Sequence, residues 1–247
     1  LISEFAVKYL LATFHRNIRY NLSWADILRR AIEKVNAEVW HFWHQTDIGK
    51  AGTTLTVVVL QQWEMIVAHV GDSRLYHYTN KQFQQISHDH VRPLADGDTN
   101  YMHDFGEGRT ILTQAIGKAQ GIKPQIETIR LQPGDKLLLC TDGLTDYVDE
   151  NELRRHLIDL EPNDAAEELM LLANRRDSTD NVTAIVVETL SHGMLWDAWK
   201  AQNDERVYAG YTPLRPLRIA KDTEMATRYD RVTPVSVANF ILFLIGL

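Results

Sequence analysis

The chain has 247 residues, 45% of them hydrophobic and 24% charged, which is enough apolar material for one large domain with an appendage. Asp and Glu (33) outnumber Lys and Arg (26), the net charge is -7, and no Lys/Arg-dense block occurs, a pattern that excludes a nucleic-acid footprint. Cys140 is the only cysteine, so no internal disulfide can form, which suits a reducing compartment.

Residues 1–46 read as two helices. Ile2, Phe5, Ala6, Tyr9 and Leu10 share one face of the first. The second opens on Ser23-Trp24-Ala25-Asp26, a capping-box form, with Ile27, Leu28, Ala31 and Val35 on its buried side. Trp40 and Trp43 fall on this helix and read as core or interface residues. β-branched sequence from Leu55 to Leu60 then begins a meander of short strands, continued by Met65–Val70, Arg74–Tyr78 and Phe83–Ile86, with tight turns between them.

Residues 87–110 are polar and read as a surface loop. His88, Asp89, His90, His103 and Asp104 lie in it, but their spacing is not that of a zinc site. Strands are expected at Ile126–Leu131 and, after the Pro133-Gly134-Asp135 turn, at Lys136–Thr141. Asp149 should cap a helix through Leu157, and Asn163 or Asp164 should begin another through Asn174. Val182–Glu188 reads as a final strand. Helices first, then strands in runs, then helices among later strands, indicate an α+β fold with an antiparallel β-sandwich flanked by helices.

Residues 191–232 contain Pro213, Pro216 and many charges without a sustained period, and read as a linker. The apolar end, 233–247, is shorter than the ~20 residues of a membrane span. With Arg228 and Arg231 before it, it reads as the start of a transmembrane helix, with a terminal core strand or helix as the alternative. That reading expects a cytoplasmic catalytic domain anchored to the inner membrane. The chain lacks an initiator Met and opens inside a helical pattern, so it reads as an excerpt of a longer protein.

Two acidic turns carry the chemistry. One is Cys140-Thr141-Asp142-Gly143-Leu144-Thr145-Asp146, after the apolar run Leu137–Leu139. The other is Ser178-Thr179-Asp180-Asn181, before the run Val182–Val187. Carboxylates held at the rims of buried strands suit hard cations such as Mg2+ or Mn2+. Asp142 and Asp180 also suit simple turns, and Asp146 and Asp89 suit capping. Cys140 lies in an apolar run with aspartates and no cation beside it, which points to a buried structural thiol rather than a nucleophile.

In this order the chain carries Gly52-Thr53-Thr54, His69-Val70-Gly71-Asp72-Ser73-Arg74, Asp89-His90, Leu112-Thr113-Gln114-Ala115-Ile116-Gly117 and the two acidic turns. Over about residues 1–190 this resembles the metal-dependent serine/threonine protein phosphatases of type 2C (PPM), in their bacterial form. The resemblance implies a helix-flanked β-sandwich with two Mg2+ or Mn2+ ions, or three, at one end. It implies metal roles for Asp142 and Asp180, and third-metal roles for Asp146 and Asp89. Asp72 and Arg74 match a motif that braces the sheet. The implied partners are phosphorylated Ser/Thr proteins and a cognate Ser/Thr kinase. A noncatalytic pseudophosphatase that binds phosphoproteins is the alternative.

The family's first two motifs are not found: a phosphate-gripping Arg, and Asp-Gly-x-Gly-Gly with its bridging Asp. Their absence predicts an unpaired sheet edge and little activity for this polypeptide by itself.

Overall fold

The structure is a computed structural model that describes residues 2–17, 22–45, 52–61, 63–93, 110–189, 235–237 and 240–245. In chain order the elements are α1 (Ile2–Asn17), α2 (Trp24–Gln45), β1 (Leu55–Gln61), β2 (Glu64–Val70), β3 (Arg74–Thr79), β4 (Gln82–Gln85), β5 (Val91–Pro93) and β6 (Thr110–Leu112). They continue with β7 (Gln125–Arg130), β8 (Lys136–Cys140), α3 (Asp142–Thr145), α4 (Glu150–Asp159), α5 (Pro162–Arg175), β9 (Ala184–Glu188), β10 (Val235–Val237) and β11 (Phe240–Ile245).

Two antiparallel sheets face each other. One has the order β10-β11-β1-β2-β7 and the other β4-β3-β8-β9, while β5 and β6 form a separate hairpin. Alternation along the strands decides which face meets which layer. Val57 and Val59 of β1, with Ile66 and Ala68 of β2, turn outward onto Leu10, Leu28, Ile32 and Val35 of α1 and α2. Val58, Met65 and Val67 turn inward and meet Leu75, Leu137, Leu139 and Ile185 of the second sheet. Leu138, Cys140 and Val186 point to the far side, onto Leu153, Leu157 and Leu169 of α4 and α5. The result is the helix–sheet–sheet–helix stack expected for the α+β class.

Local chemistry agrees with the helix starts read at Ser23 and Asp149, whereas α5 starts earlier than the Asn163 or Asp164 expected, on Glu161 as N-cap with Pro162 as its first residue. Ser23 Oγ accepts from the Asp26 amide at 3.2 Å and donates to its carboxylate at 2.6 Å. Asp149 accepts from the Asn151 and Glu152 amides, and Glu152 returns a bond to the Asp149 amide, a complete capping box. Cys140 is fully buried and its thiol is pushed up to about 12, by burial first, in keeping with a structural role.

The C-terminal apolar run departs from expectation. The segment read as the start of a membrane helix contributes β10 and β11, and β11 pairs antiparallel with β1 from Thr56↔Ile245 to Leu60↔Ile241. Its β-branched and aromatic content favours strand, and it covers the outer edge of β1. Among the described residues no helix is long and apolar enough to cross a membrane. The proposed linker, 191–232, lies outside the described residues, as do His103 and Asp104.

Candidate metal centre

Both acidic turns lie at one end of the second sheet, because β8 and β9 are antiparallel neighbours. Cys140 pairs with Ala184, so the chain leaves β8 where it enters β9. Thr141 ties the two segments together. Its amide donates to the Thr183 carbonyl (3.2 Å), its hydroxyl donates to the Asn181 carbonyl (3.0 Å), and the same hydroxyl accepts from the Thr183 amide (3.0 Å). Ser178 Oγ adds a bond to the Gly143 carbonyl at 3.0 Å.

Gly143 then allows close contact. A Cβ at this position would stand 2.6 Å from the Asn181 carbonyl oxygen and 3.5 Å from Asp180 Cβ. Only a residue without a side chain lets the Asp142 and Asp180 turns pack this closely. Each aspartate is oriented by the amide that follows it: Gly143 N–H donates to Asp142 Oδ1 at 2.8 Å and Asn181 N–H to Asp180 Oδ1 at 2.6 Å. Asp146 ends α3, its amide donating to the Asp142 carbonyl at 2.9 Å.

The carboxylates feel one another. Burial, and next the Asp180 charge, raise the Asp142 pKa. Asp146 is also raised, by burial first and then by Asp180 and Asp89, with Arg74 opposing. Asp72, in the turn between β2 and β3, is raised to about 6 by burial and then by Asp142. Sequence reasoning gave Asp72 only a bracing role. Its coupling to Asp142 places it in the same acidic group, and the turn at the end of β2 was the available signal.

Asp89 is differently placed. Both of its oxygens accept from Arg74, at 2.7–3.2 Å, and Oδ1 also accepts from Gln85 Nε2 at 2.7 Å. Arg74 in turn contacts the Tyr76 hydroxyl at 3.3 Å. The structure therefore engages Asp89 in an ion pair, and gives Arg74 the bracing role read from the sequence. His90 Nδ1 accepts from the Gly71 amide at 3.0 Å. Trp40, on α2, stacks on His44 with ring centres 3.9 Å apart.

Asp142, Asp146 and Asp180 fit a hard divalent cation by chemistry. They are carboxylate donors on short, fixed turns, and their shared negative charge is the kind a cation offsets. Among the described residues, however, no three His, Cys, Asp or Glu side chains converge closely enough to hold a metal ion. The rim supplies carboxylates and not a closed cage.

The family model for protein phosphatase 2C matches residues 2–175. The chain belongs to the protein phosphatase 2C family. The serine/threonine phosphatase Stp of Listeria monocytogenes is 32% identical to this phosphatase 2C chain over 167 residues, 65% of this chain and 66% of the relative. The chain thus spans slightly less than two thirds of that relative's length. The crystal structure of Stp1 from Staphylococcus aureus is 30% identical, with a TM-score of 0.64 and coverage of 76% of this chain and 77% of that one. The catalytic domain of the phosphatase PstP, crystallised with two manganese ions, shares the fold at 22% identity and a TM-score of 0.62, covering 76% of this chain and 82% of that one.

Proposed function

We propose that this chain is the greater part of a protein serine/threonine phosphatase that hydrolyses phosphoserine and phosphothreonine with metal-activated water. The observation that carries the reading is the packing of Gly143 on the Asp180–Asn181 peptide, which joins two distant carboxylates at one rim of the family's fold. In this reading Asp142 and Asp180 hold the metal, Asp146 lies beside them, and Mg2+ or Mn2+ is the cofactor. Bound divalent ions would neutralise phosphate charge and lower the pKa of a bound water, so that the nucleophile forms near neutral pH.

The chain's own residues do the rest. Thr141 and Ser178 hold the turns, the Gly143 and Asn181 amides orient the two carboxylates, and the Arg74–Asp89 pair stiffens the start of β3. No side-chain nucleophile is called for, in keeping with the inert Cys140. The substrates would be proteins phosphorylated by Ser/Thr kinases, a cognate kinase among them.

One observation favours the second reading, a noncatalytic phosphoprotein-binding module: no three ligands converge among the described residues. Mn2+-dependent phosphate release from a phosphothreonine peptide by the full-length parent protein separates the two. The phosphatase reading expects release that requires Mn2+ and is lost in Asp142→Ala and Asp180→Ala. Release that persists in either variant overturns it, and peptide binding without release supports the module.

A further inference from the structure

The Gly71 peptide, which presents Asp72 to the acidic rim, is gripped by two histidines. Gly71 N–H donates to His90 Nδ1 at 3.0 Å, and the Gly71 carbonyl accepts from the His90 amide at 2.7 Å and from His69 Nε2 at 3.0 Å. The partners settle both tautomers. A carbonyl only accepts, so His69 carries its proton on Nε2 and its Nδ1 accepts from the Thr56 hydroxyl at 2.9 Å. An amide N–H only donates, so His90 Nδ1 is the bare nitrogen. The two rings stack, centres 5.2 Å apart and planes 10° from parallel.

His90 is itself fixed on its other side. Its carbonyl accepts from the Thr113 amide at 2.6 Å and from the Thr113 hydroxyl at 2.8 Å. Gly71 has φ +118°, and a Cβ there would stand 2.5 Å from Thr54, so this backbone shape suits glycine alone. Thr54 Oγ1 and Ser73 Oγ, 2.9 Å apart, close the far side of the turn. These contacts tie β1, β2 and the Asp89–His90 segment, itself held by Thr113, to the backbone of Gly71.

We propose that His69 and His90 form a tautomer-specific clamp on the Gly71 peptide, positioning residues that hold Asp72 at the acidic rim. The clamp deepens the phosphatase reading, which it needs only for what the rim does. It asks of position 90 a hydrogen-bond acceptor at the Nδ1 site, not an aromatic ring or a charge.

The test compares His90→Ala, His90→Asn and His90→Gln in the 15N-labelled chain by amide hydrogen exchange at Gly71. Asn places a carbonyl oxygen near the Nδ1 position, whereas the Gln carbonyl reaches toward Nε2. Exchange at Gly71, whose N–H donates to His90, should rise about tenfold in the Ala and Gln variants and return to within about threefold of wild type in Asn, on the worth of one hydrogen bond. Core amides of β2 serve as the control for global unfolding. The imidazole 15N spectrum of wild type should show His90 protonated on Nε2 alone. Asn exchanging as fast as Gln, or His90 protonated on Nδ1, overturns the clamp. If Ala does not fold, the Asn–Gln contrast still decides. A clamp that is present while the full-length parent releases no phosphate stays intact, and that outcome counts against the phosphatase reading alone.

Discussion

The carbonyl oxygen of Asn181 stands 2.6 Å from where a Cβ on Gly143 would be. That contact joins two turns separated by some forty residues of sequence, and it depends on the missing side chain at Gly143. A Gly143→Ala substitution should force the turns apart. We expect the phosphatase activity of the full-length parent to fall about 100-fold, as a small misplacement of reacting groups does, and stability to fall by about 1–3 kcal/mol for overpacking. Phosphate release and a urea melt check the two effects separately.

Asp72 and His69 make opposite demands on pH. The Asp72 pKa is raised to about 6, so the folded state holds its proton longer than the unfolded chain and stability falls as pH rises from about 4 to 6. His69 is lowered to about 4, by burial and then by His90, so stability rises over about pH 4 to 6.5. The two slopes largely cancel. Asp72→Asn removes one of them and should gain on the order of 2–3 kcal/mol relative to wild type between pH 4 and 7, at about 1.4 kcal/mol per pKa unit. Melts at both pH values measure it, and a gain that does not grow with pH contradicts the shift.

Arg74 and Asp89 are 29% and 18% exposed, and their ion pair is at 2.7 Å. Removing one charge leaves the other poorly solvated. Asp89→Asn and Arg74→Met should each cost about 1–3 kcal/mol, and the double variant distinctly less than their sum. A double-mutant cycle by chemical denaturation reads the coupling. Additive costs would mean that Asp89 serves something other than Arg74.

Covering of β1 by β11 has its own signature. Proline at Phe243 or at Leu244 places a residue without an N–H in consecutive ladder positions, opposite Val58 and Val57. One of the two should raise amide exchange along the outer edge of β1 by about tenfold or more, while β2–β7 pairing stays protected. Unchanged exchange in both variants would mean that β1 does not depend on this strand.

The layered fold was legible because β1, β2 and β8 are continuous apolar runs, which need a covering layer on both faces. Val57 and Val59 against Val58, and Leu137 and Leu139 against Leu138, announce two buried faces. The helix caps at Ser23 and Asp149 were legible because their chemistry is local. The aspartates of the two acidic turns could be read for the same reason, but their closeness could not, since it comes from β8–β9 pairing and a backbone contact at Gly143. The third-metal role of Asp89 came from the resemblance, and its ion pair with Arg74 was not legible because the two are 15 positions apart and meet only in the fold. The C-terminal run read as a membrane start because apolar length alone does not distinguish a span from an edge strand with a sheet to join. His69 and His90 are 21 positions apart, and only the fold brings both onto Gly71.

The central claim is that the rim of Asp142 and Asp180 binds a divalent cation. Mn2+ added in substoichiometric amounts to the 15N-labelled chain tests it most directly, since paramagnetic broadening reports position without requiring turnover. The account predicts selective loss of the amide signals of Asp142, Gly143, Asp146, Asp180 and Asn181, reversed by excess Mg2+ and absent in Asp142→Ala. Broadening centred elsewhere, or spread evenly over the acidic surface, would contradict it.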